Sequence, residues 1–478
     1  MNEAGIPHSP SDRPSPAGRP SPAGRQRVAV IGGGLSGLAA AWRLGHAGAD
    51  VTLIEQTERT GGVIRSRRQD GFLCEAGPNS MLMKSQLAED FLGDLGLDEE
   101  ILDANPIANK RFLVRNGRVL PLPMSLTEGL TTPLYTIGAK FRLLAEPFVR
   151  AAAAGQDQSV AEFVTRRLGR QFLDYGIAAL VSGIYAGDPE KLSIRYAFPK
   201  VWNLEARYGS LIGGAIRLRR DRKRRGEIAY KPRMVSFADG TETLTRRLAA
   251  TASATIHTES ELLALEPGDT HWSLRWRQPS AEQSGQFDHV VMAVPCHALG
   301  ELPWPTRIGT EIRQLPSLYY PPVTTLVLGY RREQIEHPLN GFGMLIPLVE
   351  QRRVLGAIFS STLFPGRAPD GHVALMIFMG GATMPDCAVS GEAEAARLAT
   401  GQLADLLGIR GEPVFSSATH WPVAIPQYNV GHGDFIAGLE GLEQSWRGLH
   451  FCANYRGGPG LSDCLDSGRA IADRILRS

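Results

Sequence analysis

The stretch RVAVIGGGLSGLAAAWRLGHAGA, from Arg27 to Ala49, constrains this chain more than any other. A short β-branched run meets Gly32-x-Gly34-x-x-Gly37, and the small apolar residues that follow read as a helix. Strand, glycine turn and helix in that order are the fingerprint of a dinucleotide-binding unit. Gly32 allows the tight turn, Gly34 the close approach of a pyrophosphate, and Gly37 close packing of helix on strand. Gly33, Leu35 and Ser36 complete the loop, and the helix start turns its unpaired amides toward the phosphates. The next strand ends at Glu55, about 20 residues further on, where a carboxylate can accept hydrogen bonds from both hydroxyls of an adenosine ribose. A glycine-rich turn without ligand is the bland alternative, and the accompanying strand, helix and carboxylate weigh against it. NAD and FAD satisfy the pattern equally.

The rest of the chain is ordinary globular material: 478 residues, 43% hydrophobic, enough for about three domain equivalents. Lys and Arg number 51 against 49 acidic residues, and a net charge of +2 gives no global reason to expect nucleic acid. Five scattered cysteines (Cys74, Cys296, Cys387, Cys452, Cys464) form no C-x-x-C pair. That argues against a disulfide framework or a metal site and for a reducing, cytoplasmic setting. RPSPAG occurs twice between Arg13 and Gly24, without an apolar core of a secretory signal. Proline at that density predicts a disordered tail over residues 1–26, a transit peptide being the lesser alternative, with the fold starting near Arg27. No apolar run approaches the ~18 residues of a spanning helix, so the chain is expected not to cross a bilayer, though it could lie on one.

Beyond Glu55 comes VTLIEQTERTGGVIRS with its second glycine pair, then a short strand from Phe72 to Cys74 that breaks at Gly77-Pro78. From Lys84 to Arg225 the periodicity is mostly helical, with Phe163, Val164, Leu168, Phe172, Tyr175 and Ile177 at helical spacing. One hairpin interrupts it, KRFLVRNGRVLPLP, turning at Asn116-Gly117. Seven basic residues crowd Arg217 to Arg225: a solvated face or a contact for anionic lipid, with nucleic acid disfavoured because no aromatic residues interleave. Strand signals resume at ASATIHTESELLALE, HWSLRWRQ and DHVVMAVP. The runs VTTLVLGY, RVLGAIFSSTLF and HVALMIFMGG then suggest an antiparallel wall for a bulky ligand. At the C-terminus a strand, a glycine loop and a helix recur, the helix presenting Cys464, Leu465, Gly468, Ile471 and Ile475 on one face, with Ser462 as its expected N-cap. Two such units at opposite ends imply one discontinuous dinucleotide domain with a substrate domain inserted. The second glycine loop favours a flavin, whose reduced anionic form a helix N-terminus at Gly460, Leu461 and Ser462 could stabilise.

Gly32 to Gly37, Glu55, Arg59-x-Gly61-Gly62 and the terminal glycine loop together resemble the flavin-containing amine oxidase and protoporphyrinogen oxidase superfamily. Within it, EAGPNSM, SGIYAGDPEKLS, YYPPV, GFGMLIP and HWPVAIPQYNVGH are similar to protoporphyrinogen oxidases of bacterial and plant type, over nearly everything from Arg27 onward. The resemblance implies an α/β fold. Its Rossmann-like FAD-binding domain would comprise residues 27–92, 233–298 and 411–478, its helical membrane-associating region 93–215, and its α+β substrate domain 216–232 and 299–410. It implies FAD held by Gly32, Gly33, Gly34, Leu35, Ser36 and Gly37 at the pyrophosphate, and by Glu55 and Gln56 at the ribose. Gly62, Val63, Gly77, Pro78, Asn79, Trp421, Pro459, Gly460 and Leu461 would lie along the flavin end, while Glu261 would offer adenine only backbone groups. Val63 stands where many amine-oxidase relatives carry arginine, and no cysteine lies between Ser416 and Arg447, so the flavin is expected to be noncovalent. For the substrate, Arg111 matches a propionate-binding arginine, Gly183 a glycine whose carbonyl faces a pyrrole N–H, and Leu345, Ile358 and Phe378 apolar walls; from the residues alone these read as core or exposed strand positions.

The activity implied is oxidation of a porphyrinogen, with dioxygen reduced to hydrogen peroxide and no side chain required as acid or base. A membrane surface would deliver the substrate, through LTTPLYTIGAKFRLLAEPFVRAAAA or, on the plainer view, that stretch is simply helical core. The resemblance allows a homodimer; the sequence itself carries no signal of oligomeric state. Protoporphyrinogen IX is the leading substrate, because no second basic pair accompanies Arg111. Coproporphyrinogen III oxidation, an amine or carotenoid oxidoreductase, and a flavin-binding partner without turnover are the alternatives.

Overall fold

The computed structural model describes residues 25–153, 155–226 and 230–478, so nearly all of the expected tail lies outside it. Five strands from three distant stretches of chain lie parallel in the order Thr255–His257, Asp50–Ile54, Arg27–Ile31, His289–Met292, Leu449–Phe451. A parallel sheet is buried on both faces, and the central run from Val28 to Ile31 is accordingly apolar throughout. One face is covered by the helices Leu35–His46, Glu242–Thr251 and Leu461–Ile475. The other carries an antiparallel sheet of Glu261–Pro267, Trp272–Arg277 and Glu282–Phe287, with helix His432–Ser445.

The first and last helices pack against each other, the Ser36 hydroxyl donating to the Cys464 carbonyl at 2.9 Å. Close approach depends on glycine: a Cβ at Gly468 would lie 2.1 Å from the Ser36 carbonyl oxygen, and one at Gly37 2.0 Å from that of Gly32. The C-terminal helix buries the expected face of Cys464, Leu465, Gly468, Ile471 and Ile475. Its N-cap is not Ser462. Gly460 occupies that position in extended conformation, and the Ser462 hydroxyl, already inside the helix, donates instead to the Leu82 carbonyl at 2.6 Å. The neighbouring strand Met81–Met83 offers an acceptor that the serine would otherwise lack.

A second, seven-stranded sheet runs in the order Phe415–Trp421, Val323–Arg331, His372–Gly380, Gly356–Phe359, Gly343–Leu345, Phe112–Arg115, Arg118–Pro121. The hairpin turn is the expected one, with Asn116 and Gly117 at φ 50° and 68°, the left-handed pair that a tight two-residue turn requires. RVLGAIFSSTLF is not one strand: it is extended only over Gly356–Phe359, after which Ser360–Leu363 turns into a helix. There the Ser361 hydroxyl, accepting from the Ala374 amide at 3.1 Å, replaces the ladder bond. The stretch from residue 411, expected to belong with the dinucleotide unit, gives its first strand to this mixed sheet. One face of the sheet is sealed by helix Glu392–Leu407 over Leu326, Leu328, Leu375 and Ile377. The opposite face is open to the site.

Between Lys84 and Arg225 the chain is mainly helical, though Ile101–Asp103 adds a strand beyond the hairpin, paired with Arg233–Phe237. The periodic run from Phe163 to Ile177 is broken rather than continuous. Helix Val160–Arg167, started by a Ser159/Glu162 capping box, stops before Gly169 at φ 95°, and a π-turn over Leu173–Ile177 leads into helix Ala178–Tyr185. Arg167 accounts for the break by turning inward. Fully buried, it donates to Glu146 at 3.0 Å, to Glu205 at 2.6 Å, and to the carbonyls of Val149 and Gly209. Glu146 in turn accepts from the Ser210 hydroxyl and the Leu211 and Ile212 amides, closing the start of helix Leu211–Arg224. That helix carries the basic run at its C-terminal end, where the helix dipole favours cations.

Candidate active site

The glycine loop forms the geometry its spacing predicts. Gly34 caps helix Leu35–His46 without any side chain, and a Cβ there would meet nothing within 4 Å. The first-turn amides of a helix have no intrahelical partner, so this end presents donors to open space. Glu55 stands at the end of its strand beside the loop, accepting from the Gly33 amide at 2.7 Å and from the Thr57 amide and hydroxyl at 2.8 and 2.7 Å. A carboxylate so held offers its remaining lone pairs outward. Gln56 is exposed next to it. Glu261 begins a strand with its side chain paired to Arg277 at 3.3 Å, away from a ligand role for its carboxylate.

The second glycine pair closes on the first loop. Gly61 and Gly62 adopt φ of 105° and 59°, a Cβ at Gly62 would lie 3.5 Å from Gly34 Cα, and the Gly61 amide donates to the Gly33 carbonyl at 2.7 Å. Arg59 holds the turn by donating to the Gly62 carbonyl at 2.7 Å. Val63 is 49% exposed, unusual for a valine beside a core, and its carbonyl abuts Gly77, where a Cβ would come within 2.7 Å. The Gly77-Pro78-Asn79 turn is anchored from the mixed sheet: the Trp421 indole and the Thr325 hydroxyl both donate to the Ala76 carbonyl at 2.7 Å. Trp421, Val63, Gly62, Gly34 and the turn therefore form one continuous lining. At its far end, the Tyr428 hydroxyl accepts from the Gly458 amide at 3.1 Å and donates to the Asn454 carbonyl, fixing the loop that leads through Pro459 and Gly460 into Leu461. The two glycine loops and the channel between them fit a long dinucleotide of which one half is flat. Such a ligand would find backbone amides for its phosphates, a carboxylate for its ribose and an uncrowded turn for its ring.

The wall follows from strand register. Phe378 pairs with Gly356, Gly356 with Leu345, and Leu345 with Leu113; one step along, Met376 pairs with Ile358 and Ile358 with Gly343. Paired residues share a face, so Leu345, Ile358 and Phe378 point together toward the open side, and all three are half-buried on otherwise buried strands. Gly343 and Gly356 leave a flat strip between them. Gly183 closes the strip from helix Ala178–Tyr185: a Cβ there would lie 2.6 Å from Leu345 Cδ2. The helix ends at Ala186 in the left-handed region, so the Gly183 carbonyl lies in the last turn, where carbonyls lack intrahelical partners. Arg111, two residues before Leu113 and on its side of the strand, is exposed, its guanidinium 5.4 Å from the Phe342 ring centroid.

SGIYAGDPEKLS and AIPQY, the two motifs that discriminate best within the resemblance, pack on each other. Gln427 donates to the Tyr185 carbonyl at 2.7 Å and the Ser193 amide to the Tyr428 carbonyl at 2.8 Å. Burial pushes the thiols of Cys452 and Cys464 up to about 12 and that of Cys296 to about 11, leaving these three sulfurs protonated at neutral pH. Burial also raises the Tyr185 and Tyr428 hydroxyls, which act as neutral hydrogen-bonding groups. None of the wall residues titrates. Sequence reasoning missed Thr325, Tyr428 as a loop anchor, and Lys84, which holds Asp463 at 2.7 Å in the first turn of the last helix. Paired threonines inside the apolar run VTTLVL were the one visible signal, since a buried hydroxyl needs a partner.

Residues 35–476 match the family described as flavin containing amine oxidoreductase. Protoporphyrinogen oxidase 2 of Arabidopsis thaliana, chloroplastic or mitochondrial, is 32% identical, the alignment covering 94% of each chain. A coproporphyrinogen III oxidase of Bacillus subtilis is 27% identical over 94% of this chain and 98% of its own. Among solved structures, a protein of Exiguobacterium sp. 255-15 provisionally assigned as a protoporphyrinogen oxidase superposes with a TM-score of 0.77 at 24% identity, covering 95% of this chain and 99% of that one. A reduced UDP-galactopyranose mutase follows the same fold at 0.68.

Proposed function

The chain belongs to the flavin-containing amine oxidoreductase family, and from that premise we propose that it oxidises protoporphyrinogen IX to protoporphyrin IX. FAD would be bound without a covalent link and dioxygen would be the acceptor, giving hydrogen peroxide, in porphyrin and haem synthesis. The observation that carries this is the flat apolar strip of Leu345, Gly356, Ile358 and Phe378, bounded by Gly183 and ending at an exposed arginine. A broad macrocycle with peripheral carboxylates fits such a strip better than a slender amine does.

Within this proposal Gly32 to Gly37 hold the pyrophosphate, Glu55 and Gln56 the ribose, and Gly62, Val63, Gly77, Pro78, Asn79, Trp421, Pro459, Gly460 and Leu461 the flavin half, with Glu261 lending adenine its backbone. When bound, the flavin supplies the capacity to accept an electron pair from the substrate. The chain supplies placement. Leu345, Ile358 and Phe378 exclude water and orient the macrocycle, Arg111 grips a propionate through paired N–H donors, and the Gly183 carbonyl accepts from a pyrrole N–H. No side chain is asked to move a proton.

Coproporphyrinogen III is the second substrate to weigh, given the Bacillus subtilis relative's name. Arg115 lies on the same side of the strand as Arg111, but it stacks 4.3 Å from the Tyr175 ring centroid and donates to the Leu134 carbonyl. Arg118, paired with Arg115, is exposed on the same face but one strand further out, so Arg111 is the arginine beside the strip itself, an arrangement that favours the substrate with fewer propionates. The assay is direct: purified protein is incubated in air with each porphyrinogen, autoxidation is subtracted, and porphyrin fluorescence and peroxide are followed. Enzyme-dependent turnover of protoporphyrinogen is expected to exceed that of coproporphyrinogen; no rate with either would sink the proposal.

We further propose peripheral membrane association through the helical region. No helix among the described residues is long and apolar enough to cross a membrane. Ile137, Phe141 and Leu144 share one side of helix Ile137–Leu144, are each at least 60% exposed, and lead to Phe148 at 90%. Such a face beside a cationic helix suits a bilayer surface. Flotation with anionic vesicles should weaken when Arg222, Lys223 and Arg224 are neutralised, and unchanged flotation would remove the basic run from the proposal. The site as proposed is complete within one chain, so a homodimer is compatible with it and not required.

A further inference from the structure

The Thr241 hydroxyl, beside the turn proposed to meet the flavin, has two acceptors and one proton. It lies 2.9 Å from the Pro78 carbonyl oxygen and 3.0 Å from Oε2 of Glu75. Glu75 is 5% exposed; its Oε1 accepts from the Thr241 amide at 2.9 Å and its Oε2 from the Ser66 hydroxyl at 2.5 Å. The surrounding loop is closed tightly on the carboxyl, since a Cβ at Gly240 would fall 2.7 Å from Oε1. An ionised carboxylate only accepts, so the threonine proton can satisfy either Glu75 or Pro78 but not both. A neutral carboxyl resolves the competition: a proton on Oε2 is donated to the threonine oxygen, and the threonine proton goes to Pro78.

We propose that Glu75 is a positioning residue for the cofactor turn: its protonated carboxyl, acting through Thr241, holds the Pro78 carbonyl, and ionisation of Glu75 releases that hold. This rests on the reading that Gly77-Pro78-Asn79 meets the flavin. The same turn is pinned on its other side by Trp421 and Thr325 through Ala76, so the relay decides the orientation of Pro78 rather than the presence of the turn.

The surroundings set the direction of titration. Burial is the largest influence and raises the Glu75 carboxyl above its ordinary range, against the hydrogen bonds from Ser66 and Thr241 and the charge of Arg367. Arg367, 2% exposed, faces Glu75 across a cavity of about 10 Å³, room for a single water, and spends its guanidinium on the Ser236 hydroxyl and the Phe237 and Ala238 carbonyls. Arg68 and Asp239 lie beyond it and oppose each other. From the Glu242–Thr251 helix, Glu242 is turned to the Ser66 amide with Arg59 3.8 Å away. Cys74, adjacent in the strand, stays a neutral thiol through burial. With the folded pKa raised, the relay is complete at low pH and is lost as pH rises through that pKa.

The test follows FAD release from the holoprotein by flavin fluorescence, and the visible flavin band, across pH for wild type, Glu75→Gln and Thr241→Val. In wild type, release should accelerate about tenfold over a one-proton transition as pH rises, the loss of one buried hydrogen bond. Glu75→Gln, whose amide can donate to Thr241 at every pH, should release slowly and without that transition. Thr241→Val should release fast throughout, and it carries the test alone if the glutamine variant does not fold. Parallel pH profiles in wild type and the variants would overturn the proposal while leaving the flavin reading intact. A wild-type protein that neither carries nor takes up FAD would instead overturn the flavin reading, and this inference with it.

Discussion

The cofactor channel and the substrate wall meet at Trp421 but are built on opposite terms. The channel is specified by atoms that are missing: Gly32, Gly37 and Gly468 stand where a Cβ would collide with a backbone oxygen at 2.0 to 2.8 Å. The proposed wall is specified by the side chains it presents, Leu345, Ile358 and Phe378; its strand glycines Gly343 and Gly356 also face backbone oxygens, at 2.3 and 2.5 Å, but its closing glycine, Gly183, contacts the flexible end of Leu345. Backbone cannot step aside without moving a strand or helix, whereas a leucine can change rotamer. Glycines set against backbone should therefore fail abruptly on substitution, and Gly183 with the lining side chains gradually, which would leave the proposed substrate preference adjustable at the latter.

The largest effects should come from Gly37→Ala and Gly468→Ala. The first drives a methyl into the Gly32 carbonyl oxygen of the glycine loop and the second into the Ser36 carbonyl oxygen across the packed terminal helices, each an overpacking cost of about 3 kcal/mol or more. Purified variants should melt well below wild type and contain little flavin. Gly441→Ala is the internal control: it lies in helix His432–Ser445 with open space around it, so alanine should be neutral or gain about 0.5–1 kcal/mol. Equal losses at Gly441 and Gly468 would break the distinction between channel glycines and ordinary ones.

Arg167→Met should follow. It strands Glu146 and Glu205 around a buried ion knot, at a cost of about 3–5 kcal/mol, eased at Glu205 because Arg166 still reaches it at 2.7 Å. Hydrogen bonds and the arginines hold both carboxyls below their ordinary range despite burial. A depressed carboxyl pKa contributes stability that is present at neutral pH and lost as pH falls through the folded value. Thermal melts of the wild type should thus deteriorate on the acid side, and those of Arg167→Met should depend less on pH there. Identical acid profiles would remove the knot as the source.

These regions were not equally legible in the sequence, for the same reason that they differ physically. Glycine at Gly32, Gly34 and Gly37 is a local requirement, visible without knowing what lies opposite, and so is the Asn116-Gly117 turn. The wall depends on which strand pairs with which: that Phe378 lies beside Gly356, and Gly356 beside Leu345, is long-range register that no window of residues encodes. Those positions entered through family resemblance alone. Ser462 was misjudged because a serine ahead of an apolar run predicts an N-cap, while the Leu82 carbonyl, 380 residues away in sequence, claims its hydroxyl. The broken run from Phe163 to Ile177 has the same origin, since its periodicity gives no sign that Arg167 must reach Glu146 and Glu205.

On the wall, Arg111→Ala removes the proposed charged hydrogen-bonding partner of the substrate, worth about 1.5–3 kcal/mol, and should raise KM roughly ten- to a hundredfold with little change in kcat. Flavin content should stay at the wild-type level, because the Arg111 guanidinium lies over the Phe342 ring, just ahead of a strand four places across the mixed sheet from the nearest neighbour of the Trp421 strand. A variant that instead lost its flavin would move Arg111 from the wall to the channel.

The smallest effect is also the one that tests the comparison most closely. Gly183→Ala places a methyl 2.6 Å from Leu345 Cδ2, which is an overlap as severe in distance as some in the channel. Since the obstructing atom ends a flexible side chain, the structure can relieve it by turning Leu345 into the strip, at roughly 1 kcal/mol, with a narrower slot and a higher KM as the consequence. Shortening the leucine should undo that: in Gly183→Ala/Leu345→Ala the methyl fills space that the leucine vacates, so the double variant should cost less than the sum of the two single ones. Gly468→Ala has no such partner, because its obstacle is the Ser36 carbonyl oxygen, which no substitution removes. Melting temperatures and KM for the four members of the cycle decide the matter. Strict additivity would mean that Gly183 is held by backbone after all, and that the wall is as unyielding as the channel.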